Sequence, residues 1–247
     1  MKIGIIGNTN LTYKVIDFLI KEKDDIRYVF GLPEEKLKIK VNSYDLSSIC
    51  QKEKIKFIDS NDWSDIMNEK VDIVYEMGDS RIVPLDFLKK NQVIGNHGAI
   101  LPNVQGAASL VWGRLLNSGT WGVSLMDLNE RVDSGDILMT KSIFYDKDST
   151  SMQEFVEKCD NATIDCVKSY HHNDFVRKEN ELWSVKVSPF QDTSTIVDIL
   201  RFCIQKNINI YLPPRKPSDS QICLKWEQNF INIFKKANNC PYPKYFI

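Results

Sequence analysis

Short apolar runs alternate with helical patterns through roughly the first hundred residues of this chain. Each run is almost continuously apolar, as expected for a strand that is covered on both faces of a sheet. The runs occupy residues 2–6, 26–32, 55–58, 71–77 and 92–96. Helices are expected between them over residues 10–22, 45–52, 61–68 and 84–90. Strand–helix–strand units of this length pair their strands in parallel. The sequence therefore predicts an α/β fold built on a Rossmann-like, doubly wound, mostly parallel sheet.

The pattern changes in the second half of the chain. There we expect a helix at 106–117, strands at 121–128 and 136–145, and a long helix that begins at 148–151 and ends near 171. From about residue 180 the spacing of apolar residues becomes less regular. Helices are expected at 194–206 and 226–237, and prolines separate them. We therefore expect a catalytic domain over residues 1–180 and a small C-terminal mixed α+β region over residues 181–247.

Composition excludes several classes of function. The 247 residues include 32 Lys and Arg and 33 Asp and Glu, which gives a net charge of −1. This balance excludes the strongly basic coat that drives nonspecific nucleic-acid binding. No apolar run reaches the roughly 18 residues of a membrane span, and the start MKIGIIGNTN lacks the pattern of a secretory signal. Six scattered cysteines without a CxxC pair predict reduced thiols, no zinc site and a cytoplasmic protein.

Ligands of doubly wound sheets bind beyond the carboxyl ends of the strands. Functional residues are therefore expected near residues 7–10, 77–83 and 96–106. The first of these segments lacks the GxGxxG fingerprint, because only two residues separate Gly4 from Gly7. We expect Gly7 to form a tight turn into the first helix rather than a dinucleotide site.

Histidine and aspartate residues at loops are the candidates for chemistry. His97, in GNHGAILP, follows a predicted strand at its carboxyl end, where a lone histidine is equally consistent with a structural and a functional role. His171 and His172 end the long helix and are expected to be surface charges. Asp133, in RVDSGDIL, lies between two predicted strands, and on this ground alone it is a turn residue.

Several segments resemble a known family. NHGAILPNVQGAASLVW, followed some thirty residues later by VDSGDIL, resembles the signature of formyltransferases that use 10-formyltetrahydrofolate. MGDSRIVP and GVSLMDL are similar to the family's flanking loop and strand. The C-terminal segment RKPSDSQICLKWEQNFINIFKKANNCPYPKYF resembles the branch that acts on sugars, in particular dTDP-4-amino-4,6-dideoxyhexose N-formyltransferases. The resemblance covers about residues 1–140 and 213–246.

The resemblance implies an active site and a formyl donor. It assigns catalytic roles to Asn96, His97 and Asp133, with 10-formyltetrahydrofolate as the donor and no metal. His97 would stabilise negative charge on the formyl oxygen, and Asp133 would manage proton transfer. It places Arg81, Ile82 and Val83 beside the pterin ring, although Arg81 is equally consistent with a solvated surface charge.

The sequence departs from the family pattern at two positions. The family's asparagine stands two residues before the histidine, where this chain has Gly95, and Asn96 is instead adjacent to the histidine. Because neighbours on a strand point to opposite faces, we expect an irregular backbone at Gly95 that brings the Asn96 amide to the reacting groups. Gln105 also stands where many members have arginine.

The acceptor implied by the resemblance is the amino group of a nucleotide-linked amino-dideoxy sugar, with dTDP as the nucleotide, in surface polysaccharide or O-antigen synthesis. A tRNA acceptor is disfavoured, because the roughly 65 residues after position 180 show little basic excess and no separate RNA-binding barrel is expected. Two alternatives stay open: a formyltetrahydrofolate hydrolase, and a noncatalytic module that binds nucleotide and folate. No nucleic acid or membrane partner is expected, and a homodimer is left open.

Overall fold

The computed structural model describes residues 1–38, 40, 42–181, 183–242 and 245–246. Over these residues the chain forms ten strands: β1 (Lys2–Ile6), β2 (Asp25–Gly31), β3 (Lys56–Asp59), β4 (Ile73–Glu76), β5 (Val93–His97), β6 (Val104–Gly106), β7 (Thr120–Asp127), β8 (Ile137–Phe144), β9 (Val185–Lys186) and β10 (Ile210–Leu212). The α-helices described are α1 (Asn10–Lys21), α2 (Glu34–Leu37), α3 (Ser47–Glu53), α4 (Leu85–Leu88), α5 (Ser109–Leu116), α6 (Met152–His171), α7 (Thr193–Gln205) and α8 (Gln228–Ala237). Pro243, in the C-terminal segment used for the resemblance, lies outside the described residues.

Seven strands form the central sheet in the order β3-β2-β1-β4-β5-β7-β8. The first five strands of this order are parallel, and β7 and β8 join them antiparallel. The chain builds outward from β1 to β3 and then returns to the other side of β1 with β4. This arrangement confirms the expected α/β fold with a doubly wound, mostly parallel sheet.

Apolar side chains cover both faces of the central sheet. One face packs against α1, α3 and α6, with Val15, Cys50 and Phe155 among its fully buried residues. The other face packs against α4 and a 3-10 turn at Trp63–Asp65, with Phe87 fully buried there. Burial on both faces explains why the parallel strands read as continuous apolar runs.

Two predicted helices differ from those observed. The helix expected at 61–68 is only the 3-10 turn Trp63–Asp65. The helix expected at 106–117 begins at Ser109, because the residues before it form strand β6 and Ala108 has a left-handed backbone conformation. Apolar spacing could not reveal this strand, since its three residues are too few to show a period.

A second, three-stranded parallel sheet has the order β6-β10-β9. It pairs β6, the next strand in the chain after β5, with two strands from the region after residue 180. Gly106 lies so close to Leu212 that a side chain could not be placed there: an added Cβ would be 2.1 Å from the Leu212 carbonyl oxygen. The boundary at residue 180 stays a prediction.

The helices formed by the described residues include none that is both long and apolar enough to cross a membrane.

Candidate active site

A cleft of about 560 Å³ opens beyond the carboxyl ends of β4 and β5. It lies next to the point where the strand order reverses, which is where sheets of this topology bind ligands. The six residues that the sequence analysis singled out as site residues all line this cleft: Arg81, Ile82, Val83, Asn96, His97 and Asp133. Their roles stay predictions, but the structure brings them to one place from three separate segments.

His97 and Asp133 form a buried contact on the wall of this cleft. The Nδ1 atom of His97 is 3.2 Å from Oδ1 of Asp133, and the two residues are 6% and 7% exposed. The other ring nitrogen of His97, Nε2, is 3.0 Å from the carbonyl oxygen of Val104. A carboxylate and a carbonyl are both acceptors, so a ring that carries hydrogen on both nitrogens satisfies both contacts. The arrangement therefore favours an imidazolium paired with a carboxylate.

Asp133 is tied to the backbone by several contacts besides His97. Its Oδ2 atom accepts a hydrogen bond of 2.7 Å from the backbone N–H of Gly106, and its carbonyl oxygen accepts one of 2.9 Å from Asn180. Burial alone would raise the pKa of Asp133. The hydrogen bond and charge of His97 and the N–H of Gly106 outweigh burial, so the pKa lies below its usual value. Asp133 has a left-handed φ of 54°, so it is a turn residue that also contacts His97.

Arg81 is held by the protein rather than by solvent. Its guanidinium binds Asp79 and the carbonyl oxygens of Phe30 and Ser60, and it lies 4.2 Å from the centre of the Phe30 ring. The side chain is 11% exposed, which rules out a solvated surface charge. What Arg81 offers the cleft is therefore chiefly its backbone and the aliphatic part of its side chain.

The expectation of an irregular backbone at Gly95 is wrong. Gly95 pairs in unbroken register with Glu76 of β4 and Met126 of β7, and its φ is not positive. The neighbouring Asn96 accepts a hydrogen bond of 3.0 Å from the backbone N–H of Gly78 through its Oδ1 atom. Asn96 still lines the cleft from the end of β5, so its contact with a reacting group stays a prediction.

Packing against Leu128 instead leaves little room for a side chain at position 95. An added Cβ would lie 2.5 Å from Cδ2 and 2.9 Å from Cγ of Leu128. Leu128 follows β7 and lines the cleft, so it occupies the space that a side chain at position 95 would need. In this chain the space beside position 95 is therefore filled by Leu128, which directly follows β7.

Glu76 is a buried acid in the cleft that the sequence analysis did not single out. It ends β4 and is 8% exposed, and its Oε1 atom accepts a hydrogen bond of 3.1 Å from the backbone N–H of Asp79. Burial, together with the charge of Asp79, raises the pKa of Glu76 to about 8. The signal available in the sequence was an acidic residue near the carboxyl end of the predicted strand VDIVYEM.

A groove of about 380 Å³ adjoins the cleft on the side of the second sheet. Arg131, Val132 and Tyr211 line both spaces, and Lys186 lies over the Tyr211 ring at 6.0 Å. Gln105, which stands where many members of the family have arginine, donates a 3.1 Å hydrogen bond to the carbonyl oxygen of Glu181. The groove thus combines two cationic side chains with an aromatic ring.

The described part of the chain contains no group of three or more His, Cys, Asp or Glu side chains arranged to hold a metal ion. The absence of a metal from the chemistry stays a prediction.

Comparison with protein families and curated sequences gives one consistent result. A family model described as "Formyl transferase" matches residues 2–164. The methionyl-tRNA formyltransferase of Sulfurimonas denitrificans is 31% identical over 110 residues, which are 43% of this chain and 36% of that protein. The chain spans about a third to a half of the length of the first curated relatives it matches, with shares of 36%, 50% and 48%.

Solved structures share the fold at low sequence identity. The structure of WlaRD, a sugar 3N-formyl transferase in the presence of dTDP and 5-N-formyl-THF, superposes with a TM-score of 0.67 at 16% identity and covers 96% of this chain and 78% of that one. The N-formyltransferase of Helicobacter canadensis, in complex with folinic acid and dTDP-3-aminofucose, gives a TM-score of 0.66 at 14% identity, with shares of 96% and 80%. At these identities the likeness establishes the fold.

Gly95→Ala is expected to destabilise the protein by about 1–3 kcal/mol, because the new methyl group overlaps Leu128 in a packed region. Denaturant unfolding of Gly95→Ala, Leu128→Ala and the double variant measures the coupling. We expect Leu128→Ala to relieve much of the cost of Gly95→Ala. Additive effects of the two substitutions would contradict the packing explanation.

Proposed function

Because this chain belongs to the formyl transferase family, we propose that it is an N-formyltransferase that moves the formyl group of 10-formyltetrahydrofolate to the amino group of a nucleotide-linked amino sugar. The observation that carries this proposal is the buried contact of His97 with Asp133 in a cleft at the switch point of the sheet. The cleft is apolar at one end and adjoins a cationic groove at the other.

The reaction forms a bond between the acceptor nitrogen and the formyl carbon and breaks the bond from that carbon to N10 of the folate. The acceptor amine loses one proton and N10 gains one. Negative charge develops on the formyl oxygen, and the His97 imidazolium supplies positive charge beside it. In the structure Nε2 of His97 contacts the Val104 carbonyl oxygen, so direct donation to the formyl oxygen requires its hydrogen to leave that carbonyl.

Asp133 pairs with Nδ1 of His97 and orients its ring. The lowered pKa of Asp133 makes it a weak base. A weak base does not retain a proton, so Asp133 suits the role of balancing the imidazolium and relaying a proton through water. Asn96, whose Oδ1 accepts from the Gly78 N–H, can donate from its amide nitrogen to the formyl oxygen. The cleft thus holds amine and formyl group together, which adds an entropic advantage.

The apolar end of the cleft suits the flat ring of the folate. Its walls are formed by Val83, Leu88, Met126 and Leu128, together with the backbone of the loop that contains Arg81 and Ile82. A flat heteroaromatic ring buries apolar surface there, while backbone groups of the loop are available to its polar edge. This distribution supports the expected placement of the pterin beside Arg81, Ile82 and Val83.

The cationic groove suits the nucleotide part of the acceptor. Arg131 and Lys186 can bind a diphosphate, and Tyr211 offers an aromatic face to a base or sugar. The groove meets the cleft beside Asp133, so a diphosphate bound there would place an attached sugar near the formyl group. We favour a dTDP-linked amino-dideoxy sugar, in surface polysaccharide or O-antigen synthesis, because the H. canadensis protein binds dTDP-3-aminofucose.

The cytoplasmic location and a homodimer remain predictions that accompany this function.

A mass-spectrometric screen tests the acceptor. The protein is incubated with 10-formyltetrahydrofolate and each of a set of amino-sugar nucleotides, and the products are searched for the gain of one formyl group. Initiator methionyl-tRNA and buffer alone are the comparison arms, because the curated relatives include methionyl-tRNA formyltransferases. Formylation of the tRNA, or formate release without an acceptor, would overturn the sugar assignment.

His97→Ala is expected to lower the rate of formyl transfer by about 10²–10³-fold, as the loss of one group that stabilises an oxyanion typically does. Turnover is measured at saturating substrates, and circular dichroism checks that the variant is folded. A folded variant with near-normal turnover would remove His97 from the mechanism.

Asp133→Asn is expected to be at least as damaging as His97→Ala. An asparagine tolerates the left-handed turn, but its amide presents only one acceptor to two donors, His97 and the Gly106 N–H. The rate of transfer and the thermal midpoint are measured together. An unchanged rate with a lowered midpoint would return Asp133 to a purely structural role.

Lys186→Ala is expected to raise KM for the nucleotide-linked acceptor by about tenfold, with kcat nearly unchanged, because it removes one charged contact to the diphosphate. The effect should shrink at high salt. Lys52→Ala, at an exposed lysine on α3, is the matched control. A change in kcat without a change in KM would argue against a binding role for the groove.

A further inference from the structure

Glu76 lies where the cleft meets the switch point of the sheet. It is the last residue of β4 and pairs in register with Gly95, so the two residues share a face of the sheet. His97 lies two residues after Gly95 and therefore on the same face of the sheet. Glu76 and His97 both line the cleft. No side chain projects from Gly95 between them, and Leu128 covers that glycine instead.

The surroundings of Glu76 are mainly apolar. Val83, Leu88, Met126 and Leu128 line the same end of the cleft. The charged groups that face Glu76 are Asp79 and Arg81 on the loop after β4, and Lys40 on the segment after α2. Burial is the largest influence on the pKa of Glu76 and Asp79 adds to it, while the Asp79 N–H, Lys40 and Arg81 act in the opposite direction. The carboxyl is therefore mostly uncharged near neutral pH, with a pKa of about 8.

The hydrogen bond to Asp79 fixes which oxygen carries the proton. Oε1 accepts from the Asp79 N–H, so Oε1 acts as the carbonyl oxygen and Oε2 carries the hydroxyl hydrogen. A neutral carboxyl in an apolar wall is a hydrogen-bond donor that can set the orientation of a ligand. A ligand that fits this end of the cleft must therefore present an acceptor atom to Glu76.

We propose that Glu76 is a recognition residue for the formyl donor, and that its hydroxyl donates a hydrogen bond to the ring carbonyl oxygen of the pterin. This inference rests on the proposed function, because it takes a folate as the occupant of the apolar end. The pterin is flat and apolar on its faces and carries its carbonyl on one edge. The cationic groove takes the acceptor at the opposite end, beside Asp133. Glu76 thus selects the donor, while His97 and Asp133 act on the formyl group.

The sign of the pH dependence follows from the raised pKa. The donor hydrogen is present below about pH 8 and is lost as the pH rises through that value. Above it, a carboxylate would face a carbonyl oxygen, and two acceptors repel each other. Folate affinity should therefore fall about tenfold per pH unit above the pKa of Glu76.

Calorimetric binding of 5-formyltetrahydrofolate, a stable folate, tests the inference from about pH 6.5 to about pH 9.5. Glu76→Gln keeps the size of the side chain and its Oε1 acceptor and provides a donor that does not titrate. We expect near wild-type affinity for this variant at neutral pH, and a ratio of its affinity to that of the wild type that rises above pH 8. Titration of the folate itself is common to both proteins and cancels in the ratio.

Glu76→Leu removes the donor and is expected to weaken folate binding by about tenfold. KM for 10-formyltetrahydrofolate should rise while kcat at saturation stays nearly unchanged, which a merely structural role would not produce. Asp160→Asn is the matched control, because Asp160 is also a buried acid with a raised pKa but lies between α1 and α6, away from the cleft.

The outcomes separate the two proposals. Wild-type protein that binds folate, with a flat affinity ratio for Glu76→Gln and an unchanged affinity for Glu76→Leu, would overturn the inference and leave the proposed function standing. A wild-type protein that does not bind the folate would overturn the proposed donor and this inference together. A fall in kcat alone for Glu76→Leu would overturn the assignment to the pterin.

Discussion

The contact between His97 and Asp133 is the constraint on which the rest of the site depends. One residue comes from the end of a parallel strand and the other from a turn between antiparallel strands, and the chain must bring both to a buried position. If either residue lost its partner, a buried polar or charged group would be left unpaired, which is energetically costly. The Gly106 N–H and the Asn180 amide complete the arrangement. The second sheet, through Gly106 of β6, thus contributes directly to the geometry of the His97–Asp133 pair.

The cleft and the adjoining groove are lined by different kinds of side chain. Apolar residues line the cleft together with the buried acid Glu76 and the His97–Asp133 pair. The adjoining groove carries Arg131 and Lys186. These linings suit the proposed reaction between a flat heteroaromatic donor and an anionic acceptor, whose amine must reach the formyl carbon.

Much of the fold could be predicted from the sequence because the inner parallel strands of the central sheet, such as β1 and β4, are buried on both faces and therefore read as apolar runs. His97 and Asp133 were singled out by the resemblance to the formyltransferase signature, because their places at a strand end and a turn did not by themselves separate a functional from a structural role. Strand β6 could not be found, because three residues show no period and its partner β10 lies about a hundred residues away. The packing of Leu128 on Gly95, and the burial that raises the pKa of Glu76, depend on residues far apart in the chain. Sequence position alone does not carry that information.

The fate of a labelled formyl group tests the central claim most directly. Wild-type protein is mixed in a single turnover with 10-formyltetrahydrofolate labelled in the formyl carbon, with and without the amino-sugar nucleotide identified as the acceptor. The account predicts that the label leaves the folate only when the acceptor is present, and that it is recovered in an amide on the sugar. Label released as formate at the same rate without any acceptor would contradict it.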